Sequence, residues 1–214
     1  MEESTMKLNL PNKLTVLRLC LVPVIIIFGM LPESIVPFYV SCVVCAVLFI
    51  GTSVTDMLDG KIARSRGLIT DFGKFLDPIA DKFMVIGTLF VILYKFENLR
   101  VIMIFTLLVI VFRELAVTSM RLVVSTGSGV VVAANNLGKI KTVSQIVAIS
   151  TVFLEPVVQV IAKIIAEAIT GKELIWRTDI IPLTWLSLVF SIFMTVWSGI
   201  NYIKGYWKFL DPQK

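Results

Sequence analysis

The stretch VTDMLDGKIARSRGLITDFGKFLDPIADKFM, residues 54–84, sets four aspartates, Asp56, Asp59, Asp77 and Asp81, directly after an apolar run long enough to cross a bilayer. Asp56 and Asp59 are three apart and Asp77 and Asp81 four apart, so on helices each pair shares a face. Gly60 and Gly73 have no side chain, which lets a backbone or a ligand approach closely. The segment ARSRGLITDF between them is long enough to let two helices turn and bring the aspartate faces together. Four carboxylates gathered in a partly dehydrated site repel one another strongly unless cations neutralise them. Oxygen-only ligands indicate a hard ion, Mg²⁺ or Mn²⁺. A pair of such ions bridged by shared carboxylates suits displacement at phosphorus. The competing reading is a set of solvated helix-end charges, and Asp71 is expected to be one. Matched spacing, the two glycines and the intervening Arg64 weigh against it for the other four.

The rest of the chain says where this cluster sits. Of 214 residues, 57% are hydrophobic and 16% charged, with a mean hydropathy of +0.92. A soluble domain needs more polar surface than that. The composition predicts an all-α integral membrane protein, one compact bundle. At about 20 apolar residues per crossing, there is room for roughly six transmembrane helices. Apolar segments fall at about 14–31, 34–55, 73–94, 99–124, 137–166 and 180–202. The opening MEESTMKLNLPNKLT is polar and does not read as a cleavable signal. Within it, LNLPNKLT reads as a short amphipathic segment at the interface, with Pro11 and Asn12 marking the helix start. Glu155-Pro156 suggests a kink or an end of packing in the fifth helix.

Basic residues set the expected orientation. Lys7, Lys13 and Arg18 precede the first crossing, and Lys61, Arg64, Arg66 and Lys74 lie between the second and third. Lys139 and Lys141 open the fifth, and Lys204, Lys208 and Lys214 follow the sixth. Six crossings with both termini cytoplasmic satisfy this pattern, in a cell membrane, with the aspartates at the cytoplasmic end. The net charge of +5 then reads as topology and contact with anionic lipid, not as a nucleic-acid surface. Cys20, Cys42 and Cys45 all lie in apolar runs and read as small core residues. With no histidine in the chain, His-based triads and His-ligated zinc are excluded. Any chemistry falls to carboxylates and basic groups.

Asp56-x-x-Asp59-Gly60-x-x-Ala63-Arg64, eight residues, then Gly73-x-x-x-Asp77-x-x-x-Asp81 resembles the full signature of the CDP-alcohol phosphotransferases. No position departs from it. The resemblance implies one family domain over residues 1–214 with its signature at 56–81. It implies that Asp56, Asp59, Asp77 and Asp81 bind two metal ions, and that Asp81 is also the general base. Gly60, Ala63, Arg64 and Gly73 would receive the CMP half of the donor. These roles make physical sense: small residues let a nucleotide lie against the helix, and an arginine can pair with a phosphate. A carboxylate whose proton affinity is raised by its neighbours can take the proton of an attacking alcohol.

The signature leaves the acceptor open. Arg113 and Arg121 lie within a segment otherwise fit to span, and an arginine at membrane depth usually faces a polar cavity. With Lys139 and Lys141, four cations could converge on a second, anionic phosphate. Alternatively, Glu114 pairs with an arginine and the lysines simply follow the positive-inside pattern. PNKLTVLR (11–18), FRELAVTSMR (112–121) and AANNLGKIKTVSQ (133–145) are similar to members of the family that use sn-glycerol 3-phosphate. The likeness weakens after about residue 155. It implies that Arg113, Arg121, Lys139 and Lys141 hold the acceptor's phosphate. It also implies that Asn12, Thr15 and Arg18 close the site, and that the donor is CDP-diacylglycerol. A sister enzyme taking inositol phosphate or serine stays open, as does a homodimeric assembly. A divalent-cation carrier is the reading from another class. Its acidic groups belong near mid-membrane on several helices, whereas these cluster at one end with glycines and an arginine.

Overall fold

The computed structural model describes residues 9–66, 70–128, 136–173 and 181–207, with the side chains of Asp59, 62–66 and 127–128 outside that description. Among the described residues six α-helices run in chain order: α1 Leu10–Met30, α2 Phe38–Arg66, α3 Asp71–Lys95, α4 Arg100–Ser128, α5 Asn136–Thr170 and α6 Pro182–Tyr206. A short 3₁₀ turn at Glu97–Leu99 leads into α4. Five of the helices, α1, α2, α4, α5 and α6, are long and apolar enough to cross a membrane. The chain is therefore a multi-pass membrane protein. α3 has the length, 25 residues, but Asp77, Asp81 and Lys82 interrupt its apolar character. Many large apolar side chains point outward, such as Val101, Phe112 and Ile169. That is the expected surface of helices solvated by lipid tails.

Helix boundaries follow local chemistry that hydropathy does not register. The Asn9 side chain accepts from the backbone N–H of Asn12, capping α1, and Pro11 sits in its first turn where a missing N–H costs nothing. The first helix therefore begins at Leu10, and PNKLT lies inside it. Residues 1–8 lie outside the described residues. α2 continues past its apolar part through Asp56 and Gly60 to Arg66, so the first half of the signature is helical and Gly60 is internal to the helix. Pro156 does not end α5, which runs unbroken for 35 residues.

The chain divides into two compact units at Val91 and Ile92. In the first, α1 packs on α2 and α3 around Val22, Ile25, Cys42, Cys45, Ala46 and Phe49. Ser41 Oγ donates to Phe28 O at 2.9 Å. Cys42 and Cys45 are buried among apolar side chains, as expected, whereas Cys20 is exposed. Two glycines set the separation of α1 and α3: a Cβ on Gly29 would overlap Val91, and one on Gly87 would stand 3.1 Å from Val22 Cγ1. Small residues at such crossings let apolar helices gain dispersion contacts in lipid.

In the second unit α6 packs against both α4 and α5. Met103, Ile110, Val152, Phe153 and Leu188 are buried, and Phe96 meets Phe153 edge-on with ring centroids 6.0 Å apart. Along α6, Thr184, Ser191, Thr195 and Ser198 are also buried, and Gln145 of α5 donates to Thr195 Oγ1 at 3.2 Å. Glu155 bridges the same pair of helices. Its Oε1 accepts from Leu183 N at 3.1 Å and its Oε2 from Thr184 N at 2.6 Å. Ile181 offers no capping side chain, so a carboxylate from α5 satisfies the open N–H groups of α6 and faces its positive dipole end. Glu155→Ala is expected to destabilise the protein by about 1–2 kcal/mol, read as a lower thermal midpoint in detergent, with Glu155→Gln retaining part of the loss.

Candidate active site

In the first unit α1 carries Asn12, Thr15 and Arg18 at intervals of three, and all three are buried. Each reaches a different part of the aspartate stretch. Asn12 Nδ2 donates to Thr70 Oγ1 at 3.0 Å, and that hydroxyl accepts from Gly73 N at 3.1 Å. Thr70 is thus the N-cap of α3. A Cβ on Gly73 would stand 2.9 Å from Asn12 Oδ1. The close approach that requires glycine here is made by a side chain of α1. Thr15 Oγ1 donates to Asp77 Oδ1 at 2.7 Å.

Arg18 does the most. Its Nη1 lies 2.8 Å from Asp56 Oδ1 and 3.2 Å from Asp81 Oδ1. One guanidinium therefore joins α1, α2 and α3. The arginine side chain is 1% exposed, while those of Asp56 and Asp81 are 38% and 49% exposed. The positive charge is sealed in the protein and the negative charges open outward. Asp77 is exposed as well, and Asp71 is a solvated helix-end charge paired with Lys74 at 3.0 Å, as expected.

The donor set suits a hard divalent ion. Its oxygens are carboxylate, partly open, and two of them already converge on one point of positive charge. In this structure that point is Arg18 Nη1. Among the described residues no three such side chains are grouped as an ion's ligands would be. Asp59, the fourth aspartate, has its side chain outside the description, as do Ala63 and Arg64. Gly60 is half-buried on α2.

A second cluster lies within the second unit. Glu114 Oε1 accepts from Arg113 Nη1 at 3.1 Å and also pairs with Lys141 Nζ. Arg113 Nη2 donates to Ser198 Oγ at 2.7 Å, and Arg121 Nη2 to the Tyr202 hydroxyl at 2.6 Å. The Tyr202 ring lies 5.8 Å from the Arg113 guanidinium and 5.1 Å from that of Arg121, within cation–π range. Arg113, Arg121 and Lys141 are thus gathered around Glu114 and Tyr202. Lys139 is exposed, two residues from Lys141 and on another face of α5. Glu114 does pair with an arginine, yet the pairing holds the cations together and does not disperse them.

Sequence reasoning did not place Thr70, Ser198 or Tyr202 in either cluster. A cap signal was available for Thr70, which stands immediately before the helix that carries Gly73 and Asp77. Nothing local marks Ser198 or Tyr202, whose partners lie 85 and 81 residues away.

Comparison with known proteins joins these observations. Residues 8–197 match the model of the CDP-alcohol phosphatidyltransferase family. A Bacillus subtilis (strain 168) protein named CDP-diacylglycerol–glycerol-3-phosphate 3-phosphatidyltransferase is 39% identical over 211 residues, covering 94% of this chain and 97% of its own. A protein of the same name from Rickettsia felis is 34% identical over 197 residues, 92% of this chain and 94% of its own. One from Yersinia enterocolitica is 29% identical over 211 residues, 97% and 100% of the two chains. The chain belongs to the CDP-alcohol phosphatidyltransferase family.

The Glu114 cluster has a stability consequence independent of any ligand. Glu114→Ala leaves Arg113 and Lys141 without their carboxylate in a largely buried setting, a loss of about 3 kcal/mol. Thermal unfolding should show a clear drop for Glu114→Ala and a smaller one for Glu114→Gln, which keeps an acceptor oxygen.

Proposed function

We propose that this protein transfers the phosphatidyl group from CDP-diacylglycerol to sn-glycerol 3-phosphate, giving phosphatidylglycerophosphate and CMP. The observation that carries the reading is the complete signature, with Asp56 and Asp81 drawn together on Arg18. Relatives over nearly the whole chain bear the name of this activity.

Asp56, Asp59, Asp77 and Asp81 hold two Mg²⁺ ions in this proposal, and Mn²⁺ suits the same oxygens. Bound there, the ions would neutralise the donor's pyrophosphate and the charge developing on the departing CMP oxygen. The chain's own groups account for the rest. Gly60 and Ala63 leave room along α2 for the nucleotide, Gly73 serves this end of the site by letting Asn12 close on the head of α3, and Arg64 pairs with a donor phosphate. Asp81 takes the proton of the acceptor's 1-hydroxyl. That oxygen bonds to the β-phosphorus as the bond from this phosphorus to the CMP oxygen breaks, and CMP carries the electron pair away. Arg113, Arg121 and Lys141, with Lys139 nearby in sequence, hold the phosphate of sn-glycerol 3-phosphate. Thr15 and Arg18 orient Asp77, Asp56 and Asp81. The acyl chains of the donor stay in the bilayer.

For topology, α3 is the sixth crossing, with its charged first turns at the cytoplasmic end beside the last turns of α2. Both termini then lie in the cytoplasm, and basic residues near the interface meet anionic lipid. A homodimer is compatible with this arrangement.

The deciding measurement gives purified protein CDP-diacylglycerol, Mg²⁺ and a panel of alcohols, and follows CMP release. Release with sn-glycerol 3-phosphate alone is expected. Release with inositol phosphate or serine instead would move the chain to a sister activity, and none with any alcohol would sink the enzyme reading. Asp81→Asn is expected to lower turnover by about 10³-fold or more while donor binding largely survives. Full activity in Asp81→Asn would remove that residue from the base role. Chelation should abolish CMP release, and added Mg²⁺ should restore it.

A further inference from the structure

We propose that Tyr202 and Ser198 of α6 are positioning residues that set Arg121 and Arg113 for the acceptor's phosphate, and so tune affinity for phosphate-bearing acceptors. The inference rests on the acceptor reading above. Both residues lie just beyond residue 197, where the match to the family model ends. They stand one turn apart on α6 and so share a face.

Each supplies one oxygen to one arginine. Ser198 Oγ accepts from Arg113 Nη2 at 2.7 Å, and the Tyr202 hydroxyl accepts from Arg121 Nη2 at 2.6 Å. The Tyr202 ring serves both guanidiniums at once, at 5.8 and 5.1 Å. Ser198 is fully buried and Tyr202 is 3% exposed, so neither oxygen competes with bulk water for its arginine. Gly199, between them, brings the α6 backbone against the arginine stem, where a Cβ would stand 3.2 Å from Arg113 Cγ.

This arrangement fixes the arginines without consuming them. Arg113 Nε is buried and has no partner among the described residues. Arg121 is exposed, and the Tyr202 hydroxyl takes only one of its five N–H groups. A guanidinium presents its donors in a rigid planar fork, so fixing one nitrogen aims the others. Ordering two long side chains beforehand removes an entropic cost from acceptor binding. A tyrosine serving only to fill space would do as well without its hydroxyl. That difference makes the reading testable.

Purified wild type, Tyr202→Phe and Ser198→Ala would be assayed for kcat, for KM toward each substrate, and for inhibition by inorganic phosphate. In Tyr202→Phe the KM for sn-glycerol 3-phosphate should rise about 5–10-fold, with kcat and the KM for CDP-diacylglycerol within about twofold. The inhibition constant of inorganic phosphate should rise by a similar factor, which a merely structural role would not produce. Unchanged acceptor KM and unchanged phosphate inhibition overturn the proposal, as does an equal rise in both KM values. If Tyr202→Phe does not purify folded, Ser198→Ala decides by the same criteria. A wild type that ignores sn-glycerol 3-phosphate overturns the acceptor reading itself. A wild type that uses it, beside variants that match it, overturns only the role of α6.

Discussion

A fully buried guanidinium in a largely apolar helix is an expensive thing to hold, because the charge has left water. Arg18 is tolerated because Asp56 and Asp81 reach it from two other helices. The arrangement works in both directions. Without Arg18, two carboxylates from α2 and α3 would face one another across a short gap; without them, the arginine would carry an uncompensated charge. Much of the first unit can be seen as serving this contact. Gly29 and Gly87 bring α1 close enough to α3, Thr70 starts α3 in the right register, and Thr15 fixes Asp77 one turn before Asp81.

The second unit meets the same constraint with other means. Arg113 and Arg121 also sit in an apolar helix, but their neighbours are a carboxylate, a serine, a lysine and a tyrosine ring. One negative charge balances part of three positive ones, so the cluster keeps a net positive charge. The Arg18 site is the reverse, with more carboxylate than cation. The two clusters thus differ in the sign of their excess charge: carboxylate oxygens of the first suit a hard cation, and the guanidinium and ammonium groups of the second suit an anion.

How much of this was legible in the sequence follows from the range of the interactions. The helices were readable from hydropathy, which is a sum over many residues, but their ends were not. Asn9 and Pro11 move the start of α1 to Leu10, and helical propensity carries α2 through its charged end to Arg66. The pairing of aspartates within each helix was readable because it depends on spacings of three and four. That Arg18 unites Asp56 and Asp81 was not visible from any local pattern. Only a likeness to family members singled out PNKLTVLR. The gathering of Arg113, Arg121 and Lys141 was expected, and Lys139 shows the limit of that expectation: two residues along a helix turn a side chain to another face. Ser198 and Tyr202 had no local signal, since a serine and a tyrosine in an apolar run are ordinary.

The carboxylate of Glu155 bears on how the chain is assembled. Leu183 and Thr184 present bare amide groups at the head of α6, and their acceptor is a residue 28 and 29 positions earlier on α5. Until the two helices lie side by side, that end of α6 must stay in contact with water or lipid headgroups. The seat of the α6 head is therefore not a property of α6 alone: it is completed only when α5 lies beside it. Ser198 and Tyr202 ride on that same helix, so the carboxylate that seats the head of α6 also bears on how its far end meets Arg113 and Arg121.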